Sequence, residues 1–217
     1  MVPLIFSMVF MKFFMELAHV NMPLFAELRS GHDTGYIILT ALALAGGIIG
    51  AYLSKMVENK FEIWKILVAL FFVAGTARIL FVHIIADDFR RSLAIYVFYV
   101  GLGSTIGIFF RVLTQKLPPK KLIARVDAII TSLCGVSAVV GAVLGGFFGR
   151  VLFDLDINID VIFIAHGVFY MFIGLFLCSF KAFRRLPKIS EVVADSQEEG
   201  TDDTGGGNEH NRADFLE

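Results

Sequence analysis

Residues 34–53 read TGYIILTALALAGGIIGAYL and contain no charged side chain. Apolar residues do not alternate with polar ones in this stretch, as they would in a strand of a membrane barrel. A helix of this length is about 30 Å long at about 1.5 Å per residue, which matches the hydrocarbon thickness of a bilayer. The stretch therefore predicts a helix that crosses a membrane.

Five more apolar blocks accompany this one, and together they form spans 1 to 6 in chain order. Their bounds are 2–25, 34–53, 63–86, 92–110, 128–153 and 161–180. Hydrophobic residues make up 57% of the 217-residue chain, above the roughly 45–50% of a soluble domain. Each span is expected to be a helix, because unpaired backbone amides are too costly in hydrocarbon for an open strand. The expected fold class is an all-α membrane protein, with a six-helix transmembrane domain over residues 1–185.

The end of the chain has a different composition. Residues 191–217 hold nine of the twenty acids and one base, and they include three consecutive glycines. Such a segment cannot bury enough apolar surface to offset the entropy lost on ordering. We therefore expect a disordered acidic tail over residues 190–217.

Lys and Arg residues are distributed unequally between the two sides of the predicted bundle. Twelve lie in or beside loop 2/3, loop 4/5 and the segment after span 6, and four lie on the opposite side. Cytoplasmic loops carry the excess of basic residues in membrane proteins. The pattern predicts a multi-pass protein of the cell membrane, with the lipid bilayer around it and both termini in the cytoplasm.

Motifs of soluble enzymes are absent from the sequence. No phosphate-binding loop, nucleophile elbow or HExxH zinc motif is present. Cys134 and Cys178 both lie inside apolar runs and show neither metal-ligand spacing nor a disulfide framework. We therefore expect no enzymatic activity, no metal, no cofactor and no nucleic-acid partner.

Glycines recur at a spacing of four in three of the spans. They are Gly46 and Gly50 in span 2, Gly103 and Gly107 in span 4, and Gly141, Gly145 and Gly149 in span 5. Residues four apart share one helix face, and the missing side chains let helix backbones approach closely. These faces predict tight helix packing, either as fixed scaffolding or as smooth surfaces on which helices slide.

Two charged residues lie one turn apart near the middle of span 1. Lys12 and Glu16 have the spacing at which side chains of opposite charge can neutralise each other. A charge at the bilayer centre costs at least about 2.5 kcal/mol, so it needs a partner or water. Three interpretations remain open: a pair without further function, a titrating Glu16 that couples transport to protons, or a charge that faces a cationic solute.

Arg78 in span 3 is the third charge predicted to lie inside the membrane. It is about 22 Å from the cytoplasmic end of its span and Glu16 is about 20 Å deep, so the two could meet if spans 1 and 3 are neighbours. We expect Arg78 to extend toward the outer interface instead, and His166 to be a satisfied interfacial histidine. Asn21 and Pro23 predict a kink in span 1 that exposes backbone carbonyls. Arg78, Asn21, Glu16 and Lys12 are the candidate residues of a substrate or proton pathway.

Several short motifs, taken in order, resemble the C-terminal six-helix half of major facilitator superfamily transporters. They are Asn21-Met22-Pro23-Leu24-Phe25 at the end of span 1, Gly46-Gly47-Ile48-Ile49-Gly50-Ala51 in span 2, Gly103-Ser104-Thr105-Ile106-Gly107 in span 4, Ala124-Arg125-Val126 before span 5, and Gly141-Ala142-Val143-Leu144-Gly145-Gly146 within it. Val140 or a neighbour stands where the family usually has proline. The likeness covers residues 1–185 and is greatest for macrolide-efflux and drug:proton antiporter types.

The resemblance implies a function and an arrangement of the spans. Spans 1, 2, 4 and 5 would line a central cavity while spans 3 and 6 are peripheral, and a small amphipathic or drug-like solute would be exported in exchange for protons. Solute is held between two six-helix halves in such proteins. We therefore expect a second six-helix half or a homodimer as the partner. The alternative is a truncated or accessory membrane subunit without transport activity of its own.

Overall fold

The computed structural model describes residues 2–31, 34–57, 61–155 and 157–184. The predicted acidic tail lies outside the described residues. The helices are α1 (Val2–His19), α2 (Met22–Ser30), α3 (Gly35–Val57), α4 (Ile63–Asp87), α5 (Phe89–Lys116), α6 (Ile123–Asp154), α7 (Asp160–Ser179) and α8 (Lys181–Arg184), with a 3-10 turn at Lys120–Leu122.

Six of these helices, namely α1 and α3 to α7, are long and apolar enough to cross a membrane. The described residues contain no strand. The predicted all-α fold with six spanning helices is therefore confirmed. Spans 2 to 6 correspond to α3 to α7, and span 1 corresponds to α1 and the first part of α2.

Span 1 is not one helix, contrary to its predicted bounds of 2–25. Helix α1 ends at His19, and α2 begins three residues later at Met22. Pro23 has no amide hydrogen for the carbonyl of His19, four residues earlier, so the helical hydrogen bonds stop there. The predicted kink is therefore a complete break between two helices.

The side chain of Asn21 fixes this break. Its Nδ2 donates to the carbonyl oxygen of Leu17 at 3.1 Å and to that of Gly145 in α6 at 2.8 Å. The backbone amide of Asn21 bonds to Ala18 rather than to Leu17. The side chain thus supplies the donor that the interrupted helix does not provide, and it ties the break to α6.

Helices α5 and α6 extend beyond the predicted bounds of spans 4 and 5. Helix α5 begins at Phe89 because the side chain of Asp88 accepts hydrogen bonds from the amides of Arg90 and Arg91 and caps its first turn. Helix α6 begins at Ile123, inside the basic loop. Hydropathy marks only the hydrocarbon-compatible part of a helix, so it does not give the residue at which the helix begins.

The spanning helices pack as three pairs, α1 with α6, α3 with α5, and α4 with α7. Helix α4 also packs on α5, and α1 packs on α7. The pair α4 and α7 is the most buried part of the bundle, whereas α1, α3 and α6 are the most exposed spanning helices. Within this six-helix body α4 and α7 occupy the centre. The expectation that spans 3 and 6 are peripheral refers to an assembly of two six-helix halves, and it stays a prediction.

The glycine face of α6 lies against the backbone of α1. A Cβ atom on Gly141 would overlap the carbonyl oxygen of Phe13, and one on Gly145 would overlap that of Leu17. One turn further along, Gly149 lies against the side chain of Asn21. These three positions leave no space for a side chain, so glycine sets the distance between the two helices.

The pair α3 and α5 meets in the same way. A Cβ atom on Gly46 would lie 2.8 Å from the carbonyl oxygen of Val97, and one on Gly50 would overlap the carbonyl oxygen of Gly101. Thr105 strengthens the contact, because its hydroxyl donates to the carbonyl of Gly50 at 3.0 Å. The face of α3 predicted from its glycine spacing is therefore the face that packs.

Gly103 and Gly107 do not pack against a neighbouring helix, contrary to the prediction. No atom lies within 4 Å of a Cβ placed on either residue. The contact with α3 is made instead by Gly101, two residues earlier, whose Cβ would lie 3.2 Å from the carbonyl of Gly46. Two residues correspond to about 200° around a helix, so Gly103 faces away from α3.

Replacing Gly145 with alanine is expected to lower stability more than the same change at its neighbour. The new methyl of Gly145→Ala overlaps the backbone of α1, and overpacking of this kind costs about 1–3 kcal/mol. The matched control is Gly146→Ala, where no atom lies within 4 Å of the new methyl. Thermal unfolding of the purified chain in detergent should show a lower Tm for Gly145→Ala alone, and equal Tm values would contradict the packing.

Replacing Asn21 with alanine is expected to reduce the free energy of unfolding by about 1–3 kcal/mol, because a buried carbonyl loses its donor. Thr76→Val is a suitable control, since its exposed hydroxyl bonds to Phe72 within one regular helix. Both variants can be unfolded in mixed micelles and followed by circular dichroism. The role assigned to Asn21 is wrong if the two variants are equally stable.

Candidate solute-binding cavity

A cavity of about 360 Å³ lies inside the bundle, between α1, α3, α4, α5 and α7. Ligand sites in proteins commonly have volumes of about 300–1,000 Å³. The cavity lies where the central pair α4 and α7 meets α5, and it reaches exposed His19 at the end of α1. Its size and its position among spanning helices make it the candidate functional site.

The contact between α4 and α7 positions two of the polar residues in the cavity. A Cβ atom on Gly75 would lie 2.5 Å from the carbonyl of Gly167, and one on Gly167 would lie 2.8 Å from the carbonyl of Gly75. The two backbones therefore touch. Arg78 is one turn after Gly75 and His166 directly precedes Gly167, so this crossing holds the two side chains close together.

Arg78 is buried, with only 4% of its surface exposed. Its guanidinium carbon lies 4.8 Å from the ring centre of Tyr99, 4.7 Å from that of Phe163 and 5.5 Å from that of Phe81. Contacts of a cation with ring faces at these distances contribute about 0.5–2 kcal/mol each. The ring faces thus stabilise the charge without neutralising it.

Arg78 has no counter-ion among the residues that the structure describes. Its Nε has no hydrogen-bond partner, and none of the ion pairs among the described residues includes it. The expectation that Arg78 extends to the outer interface is wrong, because the aromatic rings hold its side chain at mid-span beside the cavity. It does not contact Glu16, which pairs with other residues.

His166 lies beside Arg78 and is 2% exposed. Neither ring nitrogen has a hydrogen-bond partner. Its ring centre is 4.9 Å from that of Tyr170 and 6.4 Å from that of Tyr99, with the rings nearly perpendicular. The prediction of a satisfied interfacial histidine is therefore wrong, because the crossing with α4 buries the ring at the cavity wall.

Hydroxyl groups complete the polar part of the wall. Tyr96 and Tyr99 from α5, Tyr170 from α7 and Ser104 from α5 all line the cavity. Gly103 and Gly107 also line it, which explains why no neighbouring helix covers them. Several residues with hydroxyl groups therefore line the cavity together with Arg78 and His166.

Another part of the wall is apolar. Met11, Met15 and Met22 project into the cavity from α1 and α2, and Val100 projects from α5. Methionine side chains are flexible and polarizable, so they adapt to ligands of different shape. A ligand in this cavity meets a polar side built around Arg78 and a deformable apolar side built from methionines.

Lys12 and Glu16 form an ion pair on α1, with Lys12 Nζ 2.6 Å from Glu16 Oε1. Both side chains are partly exposed, and neither lines the cavity. The second oxygen of Glu16 lies 4.0 Å from Nδ1 of His19, which does line it. Glu16 is thus linked to the cavity through one intervening side chain.

Of the four candidate pathway residues, the structure brings only Arg78 into the cavity. Asn21 serves the helix break instead, and Lys12 and Glu16 lie on the neighbouring exposed face of α1. Spans 1, 2 and 4 contribute to the lining, as the resemblance implies, but span 5 contributes no residue and spans 3 and 6 contribute Arg78, His166 and Tyr170.

Sequence reasoning missed His166 and the tyrosines. One available signal was the isolated pair Gly75 and Gly167, each near a polar residue in an otherwise apolar span. These two glycines are not part of a repeat at a spacing of four, so only the contact between the helices reveals that they oppose each other. The tyrosines gave no signal, since aromatic residues are frequent throughout the chain.

The chain matches no protein-family model, no curated protein sequence and no solved structure. The functional assignment therefore depends on the six-helix fold and on the chemistry of the cavity around Arg78.

Proposed function

We propose that this chain is a membrane transport protein whose central cavity receives the transported solute. The observation that carries the proposal is a cavity of ligand size among helices long and apolar enough to span a membrane, with a buried cation that forms no ion pair with any described residue. Ionisable residues at membrane depth are costly, and they commonly mark substrate or ion pathways. Arg78 meets this description more closely than any other described residue.

The exposed face of α1 supports a second six-helix unit as partner. The side chains of Lys12 and Glu16 are 35% and 24% exposed, on a helix long and apolar enough to cross a membrane. Contact of such a charged pair with lipid tails would cost free energy, so the pair needs water or protein beside it. A second unit on this side, either another chain or another copy, would enclose the cavity as in major facilitator transporters.

Proton coupling through Glu16 is part of the proposal. The carboxylate has one oxygen on Lys12 and the other near His19, which lines the cavity. Protonation of Glu16 would release Lys12 from the pair and change the charge next to the cavity. Export of an amphipathic or drug-like solute in exchange for protons is the corresponding transport reaction.

An accessory membrane subunit is the second candidate. The same exposed pair on α1 favours it, because Lys12 and Glu16 could bind charged residues of a partner without any transport. A transporter needs the cavity for its activity, whereas an accessory subunit does not. Filling the cavity should abolish transport but leave the assembly of an accessory subunit unchanged.

Replacing Gly103 with leucine is expected to reduce solute flux at least tenfold without unfolding the chain, since the side chain enters open space in the cavity. Flux can be measured in proteoliposomes with an imposed pH gradient, using ethidium as a cationic dye and carboxyfluorescein as an anionic one. Gly135→Leu is the matched control, because it also meets open space but lies outside the cavity lining. Unchanged flux in Gly103→Leu would exclude the cavity as the route.

Replacing Glu16 with glutamine is expected to abolish the dependence of flux on the pH gradient, because the titrating carboxyl group is lost. Glu27→Gln removes the same charge from an exposed position in α2 and should leave the dependence intact. Flux in each variant is compared with and without the gradient. If Glu16→Gln responds to the gradient as the unmodified chain does, Glu16 is not the coupling residue.

A further inference from the structure

We infer that the cavity binds an organic anion, with a carboxylate held by Arg78 and an apolar body against the methionines. This inference rests on the proposed function, since it assigns the class of solute to the same cavity. It departs from a cationic solute, one of the possibilities left open by the charges in the sequence. Three features of the cavity wall carry it.

The first feature is the sign of the charge in the wall. The residues that line the cavity include Arg78 and two histidines, His19 and His166, but neither aspartate nor glutamate. An arginine remains charged in proteins, and leaving a buried charge unpaired is strongly unfavourable. A bound anion would remove this penalty, whereas a bound cation would add a repulsion.

The second feature is the geometry of the Arg78 side chain. Arg78 has a fork of N–H groups that matches the two oxygens of a carboxylate. The residue lines the cavity, so a carboxylate in the cavity can be bound through two parallel hydrogen bonds from this one side chain.

The third feature is that the charge is held in place before a ligand arrives. The rings of Tyr99, Phe163 and Phe81 surround the guanidinium at 4.7 to 5.5 Å. These rings orient the charge but do not neutralise it, as an acid would. A site with its cation already oriented loses less entropy on binding than a flexible one.

The apolar wall indicates that the anion carries a hydrophobic body. Met11, Met15 and Met22 line the side of α1 and α2, and the volume of about 360 Å³ exceeds what a carboxylate alone would fill. An aromatic or aliphatic acid satisfies both sides of the cavity. Inorganic phosphate shares the charge but leaves the methionine side empty.

Binding of matched ligands to the purified chain tests the inference. Three acids of increasing size, namely acetate, benzoate and 2-naphthoate, are titrated calorimetrically into the chain in nanodiscs of zwitterionic lipid, each beside its uncharged amide, with empty nanodiscs as the blank. Benzylammonium and inorganic phosphate test the opposite charge and the bare anion. At least one of the two aromatic acids should bind at least tenfold more tightly than its amide and than either of these two probes.

Variants of the chain locate the site. Arg78→Met should weaken binding of the preferred acid at least tenfold, Gly103→Leu should also weaken it, and Gly135→Leu should not. If Arg78→Met does not fold, the comparison of each acid with its amide, together with Gly103→Leu, still decides the matter. The inference is overturned if no acid binds more tightly than its amide, or if a folded Arg78→Met binds the acid as the unmodified chain does.

These results are independent of the transport measurement. Acid binding that depends on Arg78, in a chain whose dye flux is insensitive to Gly103→Leu, would keep the anion site and reject transport through the cavity. Flux of ethidium that is blocked by Gly103→Leu, in a chain that binds no acid, would keep transport and reject the anion.

Discussion

Close contact between glycine faces and neighbouring backbones sets the positions of the spanning helices. In hydrocarbon, water does not drive apolar helices together, so close packing and interhelical hydrogen bonds decide which faces meet. Each of the three helix pairs uses such a contact. Gly145 of α6 packs against α1, Gly50 of α3 packs against α5, and Gly75 of α4 packs against Gly167 of α7. The last crossing has the largest consequence for function, because it places Arg78 and His166 side by side at the centre of the bundle.

Glycine has two different roles in α5, and the difference separates scaffold from cavity. Gly101 faces α3 and lets the two backbones approach, with Thr105 donating a hydrogen bond across the same contact. Gly103 and Gly107 face the opposite direction and keep the cavity open. One helix thus contributes both to the packing of the bundle and to the volume available to a ligand.

The sequence predicts the number of spanning helices and their approximate bounds, because a run of apolar residues has one physical solution in a bilayer. It also predicts the packing faces of α3 and α6, where glycines repeat every four residues. It does not predict the cavity, since the residues that form it come from different helices and share no local pattern.

The sequence identifies Arg78 as an intramembrane charge but predicts the wrong direction for its side chain, because the aromatic rings that hold the guanidinium belong partly to α5 and α7. Pro23 predicts a kink near Asn21 but not a complete break between two helices, and the hydrogen bond to Gly145 is not predictable because it joins residues far apart in the chain.

The way in which Arg78 is stabilised bears on what the cavity can bind. An acidic partner would cancel the field of the guanidinium and occupy its donors, whereas ring faces do neither. At an effective dielectric constant of about 20, a unit charge about 4 Å from the guanidinium interacts with it by about 4 kcal/mol. The same interaction favours an anion and opposes a cation, so discrimination by charge follows from this one residue. The aromatic enclosure therefore keeps the positive charge available to a ligand, while the Lys12–Glu16 pair, which is already neutralised on the exposed face of α1, contributes little net field.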